Sequence, residues 1–283
     1  MEAQFSTLGA LIGLVIAIIS MLIFIGGLSR IAHVTEKLVP LMAVLYLVGG
    51  LILLAIRIRF IPETFAMIFK YAFNPEALIG GSIGYALKTA ISQGVKRGLF
   101  SNEAGMGSTP HAHAMANVDL PHTQGIAAMV GVFIDTFVVL TMTALIVIST
   151  IYAGDGPLAG ATGSTYTQLL ESAGLQKTNL VQIAFASVSN ATVGNLFVAV
   201  CLVFFALSTI LSWNFFGKIN FEYLFGRKYV VIYSACSIAF IFLGTVVKND
   251  LVWELQDMFN QLMVLPNVLA LIALSAIVAK AAR

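Results

Sequence analysis

Long apolar runs constrain this chain more than any other feature of its sequence. Five stretches, 8–27, 39–58, 125–152, 195–216 and 229–247, are rich in Leu, Ile, Val, Phe and Ala. About 20 such residues cross the hydrocarbon core of a bilayer as a helix. Only 10% of the residues are charged, against about 25% in soluble domains. The sequence therefore predicts an all-α integral membrane protein.

Two further segments bring the prediction to about seven crossings in a single transmembrane domain. Residues 255–279 form an apolar segment that we expect Pro266 to break. Residues 78–116 are long enough to cross but too polar and glycine-rich for an ordinary span, so a broken crossing is predicted there. Residues 156–192, between two crossings, are predicted to be an extracellular hairpin.

Lys and Arg residues are distributed unequally between alternate loops, and cytoplasmic loops of membrane proteins contain the excess. The richer set is Arg30, Lys37, Lys96, Arg97, Lys218, Arg227, Lys228, Lys280 and Arg283. The poorer set is Arg57, Arg59, Lys70, Lys177 and Lys248. This predicts a multi-pass protein with a cytoplasmic C-terminus and an outside N-terminus. Because no secretory signal precedes the first run, we expect that earlier spans are missing from the chain.

The most informative segment is glycine-rich. We expect Gly98, Gly105, Gly107 and Pro110 to interrupt a helix. Unwound backbone at membrane depth is tolerated only where it is buried in protein or lines a watery cavity. Its free amides and carbonyls can hold a cation or the charged ends of an amino acid. The interruption is therefore a candidate ligand site.

Three side chains in the interruption, those of Phe100, Asn102 and Glu103, are candidate ligand contacts. Asn102 and Glu103 offer polar groups, and Phe100 lies beside them. The alternative is a cytoplasmic re-entrant turn in which Glu103 is simply solvated. We favour a ligand site, because ordinary loops rarely place so much glycine between apolar flanks.

A second polar group lies in the run 195–216. Ser208, Thr209 and Ser212 place hydroxyls within about one helical turn, and hydroxyl oxygens suit a hard cation such as sodium. Taken alone, hydrogen bonds from these hydroxyls within the helix or between helices are the better explanation. Trp213 either walls a substrate pocket or belongs to an aromatic belt at the membrane interface.

Asp135 interrupts an apolar run. An ionisable group in a membrane span is costly and is by default a candidate for function. A structural bond to a neighbouring helix is an equal alternative. Lys88 either extends along a pore or pairs with an acid, and the sequence does not say which.

Several other functions are excluded by the sequence. His111 and His113 are two residues apart, so on a helix they point about 200° apart and cannot share a metal ion. The sequence has no phosphate-binding loop, nucleophile elbow or zinc-protease motif. A net charge of +2 without a basic stripe gives no support for nucleic acid as a partner.

The block Gly98–Ser108, GLFSNEAGMGS, closely resembles the sodium:alanine symporter family, also called the alanine-or-glycine:cation symporters. Gly26–Ala43 resembles the family's loop between spans four and five. Val130–Val139 resembles span seven, and Ala206–Trp213 resembles span eight. The resemblance extends over nearly the whole chain.

The resemblance implies a LeuT-type fold, in which five-plus-five inverted repeats surround a site formed by broken spans one and six. By that likeness the chain begins at span four, so the fold is incomplete. The missing N-terminal spans, or a companion chain, would complete it. The candidate substrate contacts are Phe100, Asn102, Glu103, Gly105, Met106 and Trp213. The candidate sodium ligands are Ser208, Thr209 and Ser212, and Asp135 is a candidate coupling or structural acid.

The implied function is sodium-coupled symport of alanine or glycine across the plasma membrane, the inner membrane of a bacterium. Sodium is co-transported, no organic cofactor is expected, and the protein is not expected to be an enzyme. We expect the chain alone to be inactive, because half of a two-part cavity cannot preorganise sodium and substrate together. The alternative is a non-transporting scaffold or remnant that assembles with other transmembrane segments. Proton coupling, and serine as substrate, stay open.

Overall fold

A computed structural model describes residues 7–73, 83–103, 105–160, 175, 179–247 and 249–281. This part of the chain consists of helices and turns and contains no β-strand. The α-helices are α1 (Thr7–Ile25), α2 (Gly27–Ile56), α3 (Ile61–Phe73), α4 (Ile83–Ser101), α5 (Thr109–His113), α6 (Pro121–Phe133), α7 (Thr141–Val147), α8 (Leu180–Val188), α9 (Ala191–Phe225), α10 (Val230–Val246) and α11 (Asn249–Ala281). Short 3-10 turns at Ile58–Phe60 and Arg227–Tyr229 precede α3 and α10.

Among the described residues, five helices are long and apolar enough to cross a membrane. They are Ser29–Ile56, Pro121–Tyr152, Ala191–Phe225, Arg227–Val246 and Asn249–Lys280. A further apolar helix, Gly9–Ile25, is shorter. Many large apolar side chains on these helices face outwards, among them Met129 (71% exposed) and Val231 (75% exposed). Apolar surfaces of this extent are rare in water-soluble monomers, so the predicted all-helical, membrane-embedded class fits the structure.

Proline does not end the last helix. Pro266 lies inside α11, which continues over 33 residues, so the expected break at Pro266 was wrong. Pro40 is likewise inside α2. A helix-internal proline removes one backbone hydrogen bond, and transmembrane helices tolerate this because local adjustments and neighbouring groups satisfy the freed carbonyl.

The predicted crossing 125–152 is one continuous helix, Pro121–Tyr152, but not a uniform one. Two π-helical segments, Ile134–Leu140 and Ile148–Tyr152, follow α6 and α7. π-helical turns are rare and occur frequently at functional sites. The candidate acid Asp135 lies in the first of these segments.

The glycine-rich segment contains two helices separated by a non-helical stretch. Helix α4 ends at Ser101 and α5 begins at Thr109. The expected start of this crossing, 78–82, and the Lys88 side chain lie outside the described residues. In the predicted hairpin 156–192, α8 occupies Leu180–Val188, and 161–174 and 176–178 are likewise outside the described residues.

The chain divides into two compact units. The first comprises Met1–Leu41, Glu103–Met129 and Phe204–Arg283. Within it α1 packs along α10, with Gly13 against the Thr245 side chain. Apolar side chains of α1, α2 and α9 form its buried cluster, namely Phe24, Ile31 and Leu211. The first unit therefore holds the C-terminal part of α9 against two other helices.

The second unit comprises Met42–Asn102 and Val130–Val203. Helices α3 and α8 pack against the π-helical segment Ile148–Tyr152, next to a buried cluster of Ile151, Leu158 and Leu175. Tyr46 on α2 shares a hydrogen bond of 2.6 Å with Thr143 on α7. These contacts tie the long helix Pro121–Tyr152 to its neighbours within the unit.

Candidate functional site

Two residues with left-handed backbone conformation account for the interruption between α4 and α5. Glu103 has φ 56° and Gly107 has φ 75°, a conformation common for glycine but uncommon for other residues. The Met106 amide donates to the Glu103 carbonyl at 3.2 Å and closes a turn. Gly98 lies inside α4, so the expectation that it interrupts the helix was wrong.

Pro110 does not interrupt a helix either, because it lies in the first turn of α5. Proline is well tolerated at that position, since the first-turn amides have no partner inside the helix. The interruption therefore ends before Pro110, and Ser108 is its last residue. We call residues 103–108 the break segment.

Hydrogen bonds hold the break segment at both ends. The Ser108 hydroxyl donates to Glu103 Oε2 at 2.7 Å, and Ser108 is only 1% exposed. In the middle of the segment, Asn267 Nδ2 on α11 donates to the Gly105 carbonyl at 3.0 Å. Met106 is buried, at 2% exposure. The structure thus brings Glu103, Gly105 and Met106, three predicted substrate contacts, into one ordered turn.

The predicted sodium ligands lie on the C-terminal half of α9. Ser208 is buried, and its hydroxyl donates to the Phe205 carbonyl at 2.9 Å, which is the helix-internal bond that we named as the alternative. A serine hydroxyl oxygen can in addition accept a hydrogen bond or bind a cation. Ser212 is half-buried and lies one turn further on the same face, whereas Thr209 is exposed and about 100° away.

Trp213 is half-buried on α9 and takes part in an aromatic group. Its ring meets that of Phe216 edge-on, with centroids 6.0 Å apart. The ring of His111 on α5 also lies near the ring of Phe216, with centroids 6.2 Å apart. Trp213 is thereby connected through Phe216 to the helix that directly follows the break segment.

The two histidines have different partners. His111 Nε2 lies 3.2 Å from Asn220 Nδ2 on α9, and His113 Nδ1 lies 2.6 Å from Gln124 Nε2 on α6. In the part of the chain that the structure describes, no group of three His, Cys, Asp or Glu side chains could hold a metal ion. The histidines therefore connect helices within the first unit.

The remaining candidates, Phe100, Asn102 and Asp135, belong to the second unit. The Ser101 hydroxyl, at the end of α4, donates to Asp135 Oδ2 at 2.8 Å. Asn102 Nδ2 lies 3.4 Å from Thr136 Oγ1, and Phe100 is half-buried in the last turn of α4. Asp135 therefore makes the bond to a neighbouring helix that was its structural alternative.

Sequence reasoning missed Asn267 and misjudged Arg57. No sequence pattern singles out Asn267, and only the fold places it on Gly105. Arg57 was counted as a loop charge, but it is 9% exposed and its Nε and Nη2 donate to the Ser149 carbonyl at 3.0 and 2.5 Å. Buried arginines of this kind act as structural anchors.

Arg57 also organises the turn after the helix Pro121–Tyr152. Its Nη2 lies 2.7 Å from Asp155 Oδ1, and its guanidinium lies 4.1 Å from the centroid of the Phe60 ring. Hydrogen bonding from Arg57, together with its charge, holds the pKa of the exposed Asp155 carboxyl below its usual value of 3.8. The arginine thus anchors α2, the turn and the end of the helix to one another.

Comparison with known proteins gives a family for this arrangement. The model of the sodium:alanine symporter family matches residues 1–283. The sodium/alanine symporter AgcS of Methanococcus maripaludis is 39% identical over 267 residues, 94% of this chain and 54% of that protein. The sodium/proton-dependent alanine carrier protein of Bacillus sp. (strain PS3) is 33% identical over 264 residues, 92% of this chain and 57% of that protein.

A third relative, the probable sodium/glutamine symporter GlnT of Bacillus subtilis, is 33% identical over 278 residues, 98% of this chain and 54% of that protein. The chain thus spans about half the length of the curated relatives it matches. The relatives are transporters rather than enzymes, as the sequence predicted. With a match along its whole length and the break segment folded as an interrupted helix, the chain belongs to the sodium:alanine symporter family.

Proposed function

We propose that this chain takes part in sodium-coupled symport of a small neutral amino acid, alanine or glycine, across the plasma membrane. The observation that supports this most directly is the interruption between Ser101 and Thr109 in a helical, apolar protein. Interrupted helices in secondary transporters expose amides, carbonyls and helix ends to the substrate and the coupling ion. The family membership supports a transport role.

The proposed substrate site in the first unit uses the break segment and Trp213. The Glu103 carboxylate is a candidate partner for the substrate ammonium group, and backbone groups near Gly105 and Met106 are candidates for the rest. The bulky side chain of Trp213 favours a small substrate, because it takes up volume in the proposed site. Phe100, Asn102 and Asp135 stay predictions within the second unit, as two candidate substrate contacts and a candidate coupling acid.

Sodium is the proposed co-transported ion, with Ser208, Thr209 and Ser212 as candidate ligands. Ser208 and Ser212 share a face of α9, and each hydroxyl oxygen can accept a cation while its proton is donated elsewhere. Thr209 lies on an adjoining face, so it fits this set less well. One sodium ion crossing a 100 mV potential supplies about 2.3 kcal/mol, to which its concentration gradient adds.

A LeuT-type fold, of which this chain provides one part, is the architecture that we propose for the working transporter. Supporting it are the family resemblance and the match to about half of each relative's length. The excess of Lys and Arg in one set of loops supports a cytoplasmic C-terminus. In a bacterium the plasma membrane is the inner membrane.

Binding of radiolabelled alanine tests the proposal, measured in lipid nanodiscs on a complex of this chain co-expressed with the part of a relative that the chain does not match. We expect binding in sodium chloride and little in choline chloride, and competition by glycine and serine. Glutamine belongs in the panel because one relative is named a probable sodium/glutamine symporter. The variants Glu103→Ala and Ser208→Ala should abolish binding, whereas Glu254→Ala and Ser275→Ala, both at exposed positions of α11, should not.

Two outcomes would contradict the proposal. Equal binding in sodium and choline would exclude sodium coupling at this site. A folded complex that binds none of these amino acids would favour the non-transporting scaffold instead.

A further inference from the structure

Asn267 contacts the break segment at two glycines. Its Nδ2 donates to the Gly105 carbonyl at 3.0 Å. A Cβ at Gly107 would meet Asn267 Oδ1 at 2.7 Å and its Cγ at 2.9 Å. The amide of Asn267 therefore lies directly against the turn, and Gly107 leaves the space for it.

Asn267 is one of three amide side chains on α11 that can be compared. Asn260 precedes it by seven residues and Gln256 by eleven, so the three amides share a face of the helix. The Nε2 of Gln256 and the Nδ2 of Asn260 are buried without a hydrogen-bond partner in the described structure. Of the three, Asn267 alone is shown bonded to the break segment.

The hydrogen bond from Asn267 limits how the Gly105 carbonyl can turn. A carbonyl freed by an interrupted helix can turn towards several partners, and a neutral donor with a fixed position limits that choice without adding charge. The Gly105 carbonyl has two lone pairs, so one stays available to a ligand while Asn267 occupies the other. Asn267 thereby orients a carbonyl that the proposed site presents.

We propose that Asn267 is a positioning residue that holds the Gly105 carbonyl in the orientation that the substrate or sodium meets. Its effect on ligand affinity rests on the proposed function, whereas its effect on the break segment does not. The two are therefore tested separately.

Hydrogen–deuterium exchange of the protein in nanodiscs, without ligand, tests the hold on the break segment. Asn267→Leu keeps the side-chain volume and removes the donor. We expect amides in peptides covering residues 103–108 to exchange about fivefold faster, the effect of losing one neutral hydrogen bond. Asn260→Leu, on the same face two turns earlier, should leave these peptides unchanged. Unchanged exchange in Asn267→Leu would overturn the proposal.

Alanine binding as a function of pH tests the positioning role. Asn267→Asp places a carboxyl at the same position, which donates to a carbonyl only when it is protonated. We expect this variant to bind alanine about tenfold more weakly than wild type at pH 7, because a carboxylate faces the carbonyl there. Affinity should recover as the pH falls through the pKa of the new carboxyl, which partial burial against a carbonyl oxygen raises, whereas wild type and Asn260→Asp should show no such recovery.

Weak binding by Asn267→Asp at every pH would show that the residue only supports the fold, and it would overturn the positioning role. If the co-expressed wild-type complex itself binds no alanine, the proposed function fails. The hydrogen-exchange result then still decides whether Asn267 holds the break segment.

Discussion

The Ser101 hydroxyl donates a hydrogen bond of 2.8 Å to Asp135 Oδ2. The donor is the last residue of α4, and the acceptor lies in a π-helical segment of the neighbouring helix. The end of α4 is therefore held by an acid that lies in a widened, π-helical turn of the neighbouring helix.

A double-mutant cycle measures this bond. Ser101→Ala and Asp135→Ala should each lower the free energy of unfolding, with a coupling of about 1 kcal/mol, the net contribution of a typical intramolecular hydrogen bond. Asp135→Asn keeps an acceptor and should lose less. As a control, Ser101→Ala with Asp250→Ala, an exposed acid on α11, should be additive. Additive effects for Ser101 and Asp135 would contradict the prediction.

Gly107 and Gly98 provide a matched pair of glycine substitutions. Gly107→Ala should lower stability by roughly 1–2 kcal/mol, because alanine is strained at φ 75° and its Cβ meets Asn267. Gly98→Ala should be neutral or raise stability by about 0.5–1 kcal/mol, since this glycine is inside α4. Thermal unfolding in detergent compares the two, and a Gly107→Ala variant as stable as wild type would contradict the prediction.

Glu103→Gln separates the charge of Glu103 from its bond to Ser108. The glutamine keeps an acceptor oxygen for the Ser108 hydroxyl, so thermal stability should stay close to that of wild type. Loss of the charge should weaken alanine binding by at least about tenfold, because charge-assisted hydrogen bonds are worth roughly 1.5–3 kcal/mol. Glu254→Gln is the control. Wild-type affinity in Glu103→Gln would show that the carboxylate does not contact the substrate.

The ion pair between Arg57 and Asp155 predicts a dependence of stability on pH. The pKa of Asp155 is lowered by Arg57 in the folded protein, so the pair stabilises above the usual value of 3.8 and the effect is lost as the pH falls through the lowered pKa. The melting temperature of Asp155→Asn should therefore lie below that of wild type at pH 6, and the difference should shrink on acidification. A difference that is constant with pH would exclude the ion pair as its cause.

Reconstitution of this chain by itself into proteoliposomes tests whether it transports. We expect no sodium-driven alanine uptake, because the chain spans about half the length of its relatives, and a site built from two parts needs both. Accumulation of alanine that stops when the sodium gradient is dissipated would contradict this expectation.

Hydropathy predicted most of the long helices because crossing a bilayer requires a length and a composition that sequence shows directly. The clustered glycines, rather than hydropathy, indicated a helix interruption in the segment that contains α4 and α5. The sequence did not show which residues cause the interruption. Gly98 is helical, whereas Glu103 has φ 56°, and no residue-level rule marks a glutamate for that conformation.

Contacts between distant residues were not predictable from sequence. Asn267 meets Gly105 across 162 positions, and Arg57 meets Ser149 across 92. Pro266 illustrates the opposite error, because a breaker of helices in water is accepted inside α11. Local composition predicted the elements, while the pairing of polar groups depended on which helices pack together.

The π-helical segment Ile134–Leu140 has a consequence for length variation in this helix. A π-helical turn contains one residue more than an α-helical one, and each residue of an α-helix turns the chain by about 100°. The widened turn therefore absorbs its extra residue, so deleting one residue from the segment would restore a regular helix and leave Thr143 facing Tyr46, whereas a deletion in a regular stretch would turn everything after it by about 100°. The segment Ile134–Leu140 is therefore the place in this helix where the chain tolerates loss of one residue without re-orienting the half-helix that follows.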